Sequence, residues 1–165
     1  MMPKSLRMAL AVLVGLIAAD AAPAATQSTT FSVTATVLGS CSVSAGTLAF
    51  GSYTPTAGSS TDASSTVNVV CTNGTDYTVA LDGGSTANNV AAREMNDAAS
   101  HTLSYEIYKD SARATVWGDG TGASVTQSGT GGGATQSFTA YGRVPAAQFV
   151  TAGNYADTVT VTVSY

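Results

Sequence analysis

Between residues 29 and 38 the apolar side chains fall at every second position, Phe31, Val33, Ala35 and Val37, with Ser32, Thr34 and Thr36 between them. A period of two predicts a half-buried β-strand. This strand has no evident hairpin partner. It stands just before Cys41, whose only possible intrachain partner is Cys71, so it lies outside the loop that such a bridge would close. The same period runs through the rest of the chain. Cys41, Val43 and Ala45 alternate, and Leu48 and Phe50 alternate on the opposite parity, which predicts a kink or bulge near Gly46. Tyr53, Pro55 and Gly58 end that strand in a Ser/Thr-rich loop. Val67, Val69 and Cys71 mark a strand over residues 66–72 with the sulfur pointing inward. Asn73-Gly74 then predicts a hairpin turn into a return strand carrying Tyr77, Val79 and Leu81, broken by Asp82-Gly83-Gly84.

Residues 91–99 have a helical leaning but are too short and poorly patterned for more than a turn or loop. Leu103, Tyr105 and Ile107 resume the alternation over residues 101–108, and Asp110-Ser111 turns the chain towards Thr115-Val116-Trp117. The glycine-rich residues 118–133 read as a long flexible loop. Two strands follow, over residues 137–144 and 155–165, separated by Pro145 and Gly153. In the second, Val159, Val161, Val163 and Tyr165 alternate with Thr158, Thr160, Thr162 and Ser164. A strand so regular at the end of the sequence is expected to take its last neighbour from somewhere other than downstream residues. Six or seven short, turn-separated strands predict an all-β antiparallel sandwich. An open sandwich leaves an apolar groove and an unpaired edge that invites strand addition, and the orphan strand fits that need.

Lys4 and Arg7 precede an apolar run over residues 8–19, and Ala22-Pro23-Ala24-Ala25 follows. That run is shorter than the ~20 residues a spanning helix needs, so residues 1–25 read as a secretory signal peptide and the rest as exported. Without Lys4, Arg7 and Asp20, four basic residues face nine acidic ones, a balance that argues against nucleic acid as a partner. Two cysteines in an exported chain predict one disulfide, Cys41–Cys71. The enclosed loop of roughly 30 residues contributes about 3–4 kcal/mol by the chain-entropy estimate.

Chemistry-bearing patterns are sparse. A metal site needs more ligands than two cysteines and the single His101, and Asp119 in Gly-Asp-Gly-Thr-Gly lacks the twelve-residue calcium-loop pattern. The glycine-rich stretch holds no lysine for a phosphate loop, no Gly-x-Ser-x-Gly elbow is present, and the carboxylates are scattered through turns. The expectation is therefore no enzyme, no cofactor, no metal and no small-molecule substrate. Trp117 is expected to pack in the core rather than to touch a ligand, and Arg143 and Asp157 to fix turns or loops.

Particular motifs carry a resemblance. They are Cys41, Val69-Val70-Cys71, Tyr77-Thr78-Val79-Ala80-Leu81-Asp82-Gly83, Leu103-Ser104-Tyr105-Glu106-Ile107-Tyr108 and Trp117-Gly118-Asp119-Gly120-Thr121. Tyr141-Gly142-Arg143-Val144-Pro145 and Ala152-Gly153-Asn154-Tyr155-Ala156-Asp157, running on to Tyr165, complete the set. With them the chain resembles the spore coat protein U domain family, which includes subunits of archaic chaperone-usher pili. The resemblance implies an incomplete immunoglobulin-like sandwich lacking its last strand, with residues 26–40 as a donor-strand extension and residues 41–165 as the pilin domain. It implies a homopolymer of neighbouring pilin subunits joined head to tail by donor-strand complementation, a periplasmic chaperone, an outer-membrane usher, and a cell-surface fibre serving attachment and biofilm formation. On this view Phe31, Val33, Ala35 and Val37 form the donor strand, and Val159, Val161, Val163 and Tyr165 the final strand of the acceptor groove. A self-complemented exported coat or minor fibre protein and a surface-binding tip module remain as alternatives.

Overall fold

A computed structural model describes residues 23–165. The expected signal peptide falls largely on residues 1–22, outside the described residues. The chain divides into two units, Met1–Ala35 and Thr36–Tyr165. In the first, described residues 23–35 form no regular secondary structure and their side chains are exposed, Phe31 to 84%. The alternation at residues 29–38 therefore does not form a strand here, because a strand needs a ladder partner to be stable.

The second unit contains eight strands: β1 (Cys41–Ala45), β2 (Thr61–Cys71), β3 (Asp76–Leu81), β4 (Arg93–Asn96), β5 (Thr102–Tyr108), β6 (Gln127–Thr130), β7 (Gln136–Val144) and β8 (Val161–Ser164). They form a five-stranded sheet in the order β1-β2-β7-β5-β4 and a three-stranded sheet in the order β6-β3-β8. Every pairing between them is antiparallel. Alternate side chains of both sheets make the core: Val67 and Val69 of β2, Tyr77, Val79 and Leu81 of β3, and Leu103, Tyr105 and Ile107 of β5 are all buried. Trp117 is fully buried among them, in the core as expected. Its Nε1–H donates to the Val79 carbonyl at 3.0 Å and its ring meets Phe138 edge-on at 6.2 Å. Cys41 and Cys71 are bonded and stand directly opposite each other in β1 and β2.

Several expectations about the elements are corrected. Asn73-Gly74 is a turn, with Gly74 at φ 79° and the Thr75 N–H donating to the Thr72 carbonyl at 3.1 Å, yet β2 and β3 do not pair. Val67, Val69 and Cys71 of β2 and Tyr77, Val79 and Leu81 of β3 are buried at alternate positions, and the two strands stack those faces across the core from different sheets instead of sharing one. Residues 91–99 hold β4, where Arg93 and Met95 are buried at alternate positions; packing overrides their helix propensity. Within the glycine-rich stretch β6 pairs with β3. Gly129 is there for a close approach rather than for flexibility, since a Cβ on it would come within 2.5 Å of the Tyr77 hydroxyl.

β2 starts at Thr61, earlier than residue 66, and β1 ends at Ala45. The Gly46 N–H still donates to the Thr66 carbonyl at 2.9 Å, and the chain then leaves the ladder with Leu48 and Phe50 packed against the core. Only Val161–Ser164 of the expected final strand lies in a ladder, because Ala156 bridges to Asn96 of the opposite sheet.

Arg93 is wholly buried and joins the two sheets. From β4 its Nε and Nη2 donate to the carbonyl of Asp82, just past β3, at 2.9 and 2.7 Å, and Nη2 also donates to the Trp117 carbonyl at 3.0 Å. Its Nη1 pairs with Glu106 of β5. Removing one partner of a buried pair costs about 3–5 kcal/mol, since the groups left behind stay desolvated. Arg93→Met is accordingly expected to lower the thermal midpoint by about 10 °C, measured by circular dichroism; an unchanged midpoint would contradict the clamp.

Candidate functional site: an open cleft between the sheets

Five strands face three, so part of the larger sheet's inner surface has no cover. The result is a cleft of about 1070 Å³. Its floor is apolar and comes from β2, β5 and β7, with Val67, Leu103, Tyr105, Ile107, Ala140 and Val144. Its rims are residues 45–53 on one side and 150–161 on the other.

The first rim continues β1. Val43 and Ala45 stand opposite Val69 and Val67 in the ladder, and side chains of directly opposed residues share a face. Both therefore point to the inner side, yet Val43 is 38% exposed while Val69 is 0%. Beyond Gly46 the rim turns Leu48 and Phe50 down onto Gly142 of β7, where a Cβ would meet their atoms at 2.8 Å. Phe50 also meets the Tyr105 ring edge-on at 6.1 Å.

The second rim leads into β8. The Asp82 N–H donates to the Thr160 carbonyl at 3.1 Å, the Ser85 N–H donates to the Thr158 carbonyl at 2.9 Å, and the Thr160 N–H donates to Asp82 Oδ1 at 2.9 Å. Even-numbered residues thus spend their backbone groups on β3 and its extension. In an antiparallel ladder the intervening residues face the other way, so the N–H and C=O of Val159, Val161 and Val163 form a free edge. The same three side chains are only partly buried against the core, and Tyr165 is 64% exposed.

One end of the cleft is closed. Asn96 and Ala156 exchange two backbone hydrogen bonds of 3.0 Å, carrying the chain over to β4. Next to that bridge Asp157 is held on all sides. Its Oδ2 accepts from the Tyr105 hydroxyl at 2.7 Å, and its Oδ1 accepts from the Ser85 hydroxyl at 2.8 Å and the Thr86 N–H at 3.0 Å. Gly84, at φ 78°, leaves the room: a Cβ there would lie 1.9 Å from Asp157 Oδ2. Burial alone would raise the Asp157 pKa, but the bonds from Tyr105, Ser85, Thr158 and Thr86 outweigh it and hold the carboxyl below its ordinary range. Burial, with the Asp157 hydrogen bond second, pushes the Tyr105 phenol far up. The Tyr53 hydroxyl donates to the Pro145 carbonyl at 2.9 Å and accepts from the Gln148 N–H at 2.8 Å. Gln148 in turn satisfies both backbone groups of Ser104 at 2.9 Å, filling a place a neighbouring strand would take.

The structure brings Val159 and Val161 to the cleft wall and sets Val163 and Tyr165 further along the same edge. Val37, early in the second unit, is exposed, as are Phe31, Val33 and Ala35 in the first. Arg143 makes a two-point ion pair with Asp62 at 2.8 and 2.9 Å on the outer face, away from the cleft lining. Among the described residues no three His, Cys, Asp or Glu side chains are grouped as metal ligands. The role of Arg93 was missed from sequence. Its one signal is a cation at the same parity as Met95, with a carboxylate, Glu106, in the next alternating segment.

The family model of the spore coat protein U domain matches residues 27–162. Protein U of Myxococcus xanthus is 32% identical over 165 residues, covering 91% of each chain. The chain is also similar to one in the crystal structure of the CsuC–CsuE chaperone–tip adhesion subunit pre-assembly complex from archaic chaperone-usher Csu pili of Acinetobacter baumannii. The TM-score there is 0.60 with 26% identity, over 79% of this chain and 41% of that one. This chain therefore spans less than half the length of that structural relative.

The Asp157 cage has a pH signature. A carboxyl whose folded-state pKa is depressed contributes stability that is fully present above its unfolded pKa of about 3.9 and is lost as pH falls through the folded value. Asp157→Asn is expected to be less stable than the parent at pH 6, with the gap in thermal midpoint narrowing below about pH 4. A gap independent of pH would show that the carboxylate charge is not what the cage holds.

Proposed function

The chain belongs to the spore coat protein U domain family, and from that premise we propose that it is a structural subunit of an exported chaperone-usher-type pilus, joined head to tail by donor-strand complementation. The observation that carries this reading is the cleft. Val43 on the inner face of β1 is exposed and the valines of β8 are only partly buried, and the free backbone edge beside Val159, Val161 and Val163 offers a ladder. Phe31, Val33, Ala35 and Val37 of a second copy supply a matching alternation within residues 26–40.

Burying those four side chains contributes roughly 6–8 kcal/mol of apolar transfer, an upper bound because the free segment is not fully extended in solvent. Ladder hydrogen bonds add register and remove the open edge. The contact joins two different surfaces, so repetition gives an open filament rather than a closed ring. Until the strand arrives, the apolar floor needs a temporary cover, the part assigned to a periplasmic chaperone, with an outer-membrane usher exchanging it for the incoming subunit. The similarity to a chain of a chaperone–pilus subunit complex supports that assignment, and the Cys41–Cys71 bond suits an oxidising compartment. Attachment to surfaces and biofilm formation are the uses such a fibre serves.

The test is expression in a periplasm with its chaperone, comparing unboiled with boiled samples on a denaturing gel. The parent should give a ladder of multiples that collapses to one band on boiling. Val33→Asp, which would bury an unpaired charge, should abolish the ladder while the chaperone complex still forms. A single monomer band from the parent, soluble without chaperone, would instead show a chain whose own strand fills its own cleft.

A further inference from the structure

The closed end of the cleft also fixes where an entering strand must stop. Along the free edge the inward residues read, from that end, Asp157, Val159, Val161, Val163 and Tyr165. The backbone of Ala156 is already spent on Asn96, and the Asp157 carboxylate lies in its cage of hydroxyls. Resting on the strand-exchange reading above, we propose that this corner sets a single register. In it Phe31, Val33, Ala35 and Val37 of a second copy lie opposite Tyr165, Val163, Val161 and Val159, antiparallel to β8.

Three independent matches meet in that register. The free N–H and C=O groups of the odd-numbered residues of β8 face odd-numbered residues of the incoming strand, the condition for a hydrogen-bonded antiparallel pair. On the outer face Ser32, Thr34 and Thr36 fall opposite Ser164, Thr162 and Thr160, hydroxyl pairs that stabilise adjacent strands. At the far end Phe31 covers the exposed ring of Tyr165, an aromatic pairing worth more than its area alone.

The neighbouring registers fail for stated reasons. A shift of two residues towards the closed end places Val37 against the Asp157 carboxylate and asks for backbone groups beside the Ala156 bridge. A shift of two the other way leaves Val159 uncovered and takes the Phe31 ring off Tyr165. A shift of one turns every apolar side chain of the strand to the solvent face.

The test is disulfide trapping in the full chain with chaperone and usher present. The outward pair Thr34 and Thr162 is a non-hydrogen-bonded pair in this register, with Cα atoms ~4.5 Å apart, within the range a disulfide bridges. The variants are T34C/T162C, T34C/T160C and T34C/S164C, oxidised, boiled and run without reductant, with peptide mapping to confirm that the new bond joins the introduced cysteines. The first should give a covalent ladder several-fold stronger than the other two. A dominant ladder from T34C/T160C or T34C/S164C overturns the register, as does absence of any covalent ladder while the boiling-sensitive one persists. Both of those outcomes leave strand exchange standing. Loss of the boiling-sensitive ladder in the parent as well removes strand exchange and the register together, and a bond formed only within single chains overturns the second copy as the source of the strand.

Discussion

Three strands cannot cover five. That inequality governs the second unit more than any single contact, because it obliges one part of a well-packed apolar surface to remain open. Uncovered apolar area is unfavourable in water by about 25 cal/mol per Å². Beside the cleft the sheets are held together by a few residues. Trp117 fills the closed part of the interior, Arg93 ties β4 to the end of β3, and the Ala156 bridge carries the second rim from one sheet to the other.

The polar groups show the same economy. Asp82 serves the turn after β3 through Gly84, the start of β8 through Thr160 and the buried guanidinium through its carbonyl. Asp157 does the equivalent for Ser85, Thr86 and Tyr105. Both carboxylates hold loops in place, the role anticipated for Asp157. They make the second rim rigid just where the strand leaves its last internal partner, so the rim's free backbone groups are presented in a defined line.

Much of this was legible in the residues. Period-two patterning located β2, β3, β5 and β7 because their inner faces are packed and their outer faces wet, the condition under which alternation is cleanest. It overran at both rims, where alternation persists in residues 46–50 and 155–160 beyond the ends of β1 and β8. β4 and β6 were invisible for opposite reasons: β4 is written in residues that also suit a helix, and the glycines around β6 conceal a requirement for closeness beside Tyr77. Asn73-Gly74 announced a turn correctly and its consequence wrongly, since turn chemistry sets a local reversal while the two apolar faces decide which sheet each strand joins. Of the candidate site, the alternation from Val159 to Tyr165 could be read directly. The closed end could not, because it is assembled by Tyr53, Gln148 and the Asn96–Ala156 bridge from segments far apart in the chain.

The position of the disulfide has a mechanical side. Cys41 is the first residue of β1, and its bond leads straight to Cys71 at the end of β2, inside the five-stranded sheet. A pull applied through residues preceding Cys41 is therefore passed covalently to an interior strand and never loads the short β1–β2 ladder, which would otherwise peel from its end one hydrogen bond at a time. Reduction would move the point at which force enters the sandwich from β2 to the start of β1.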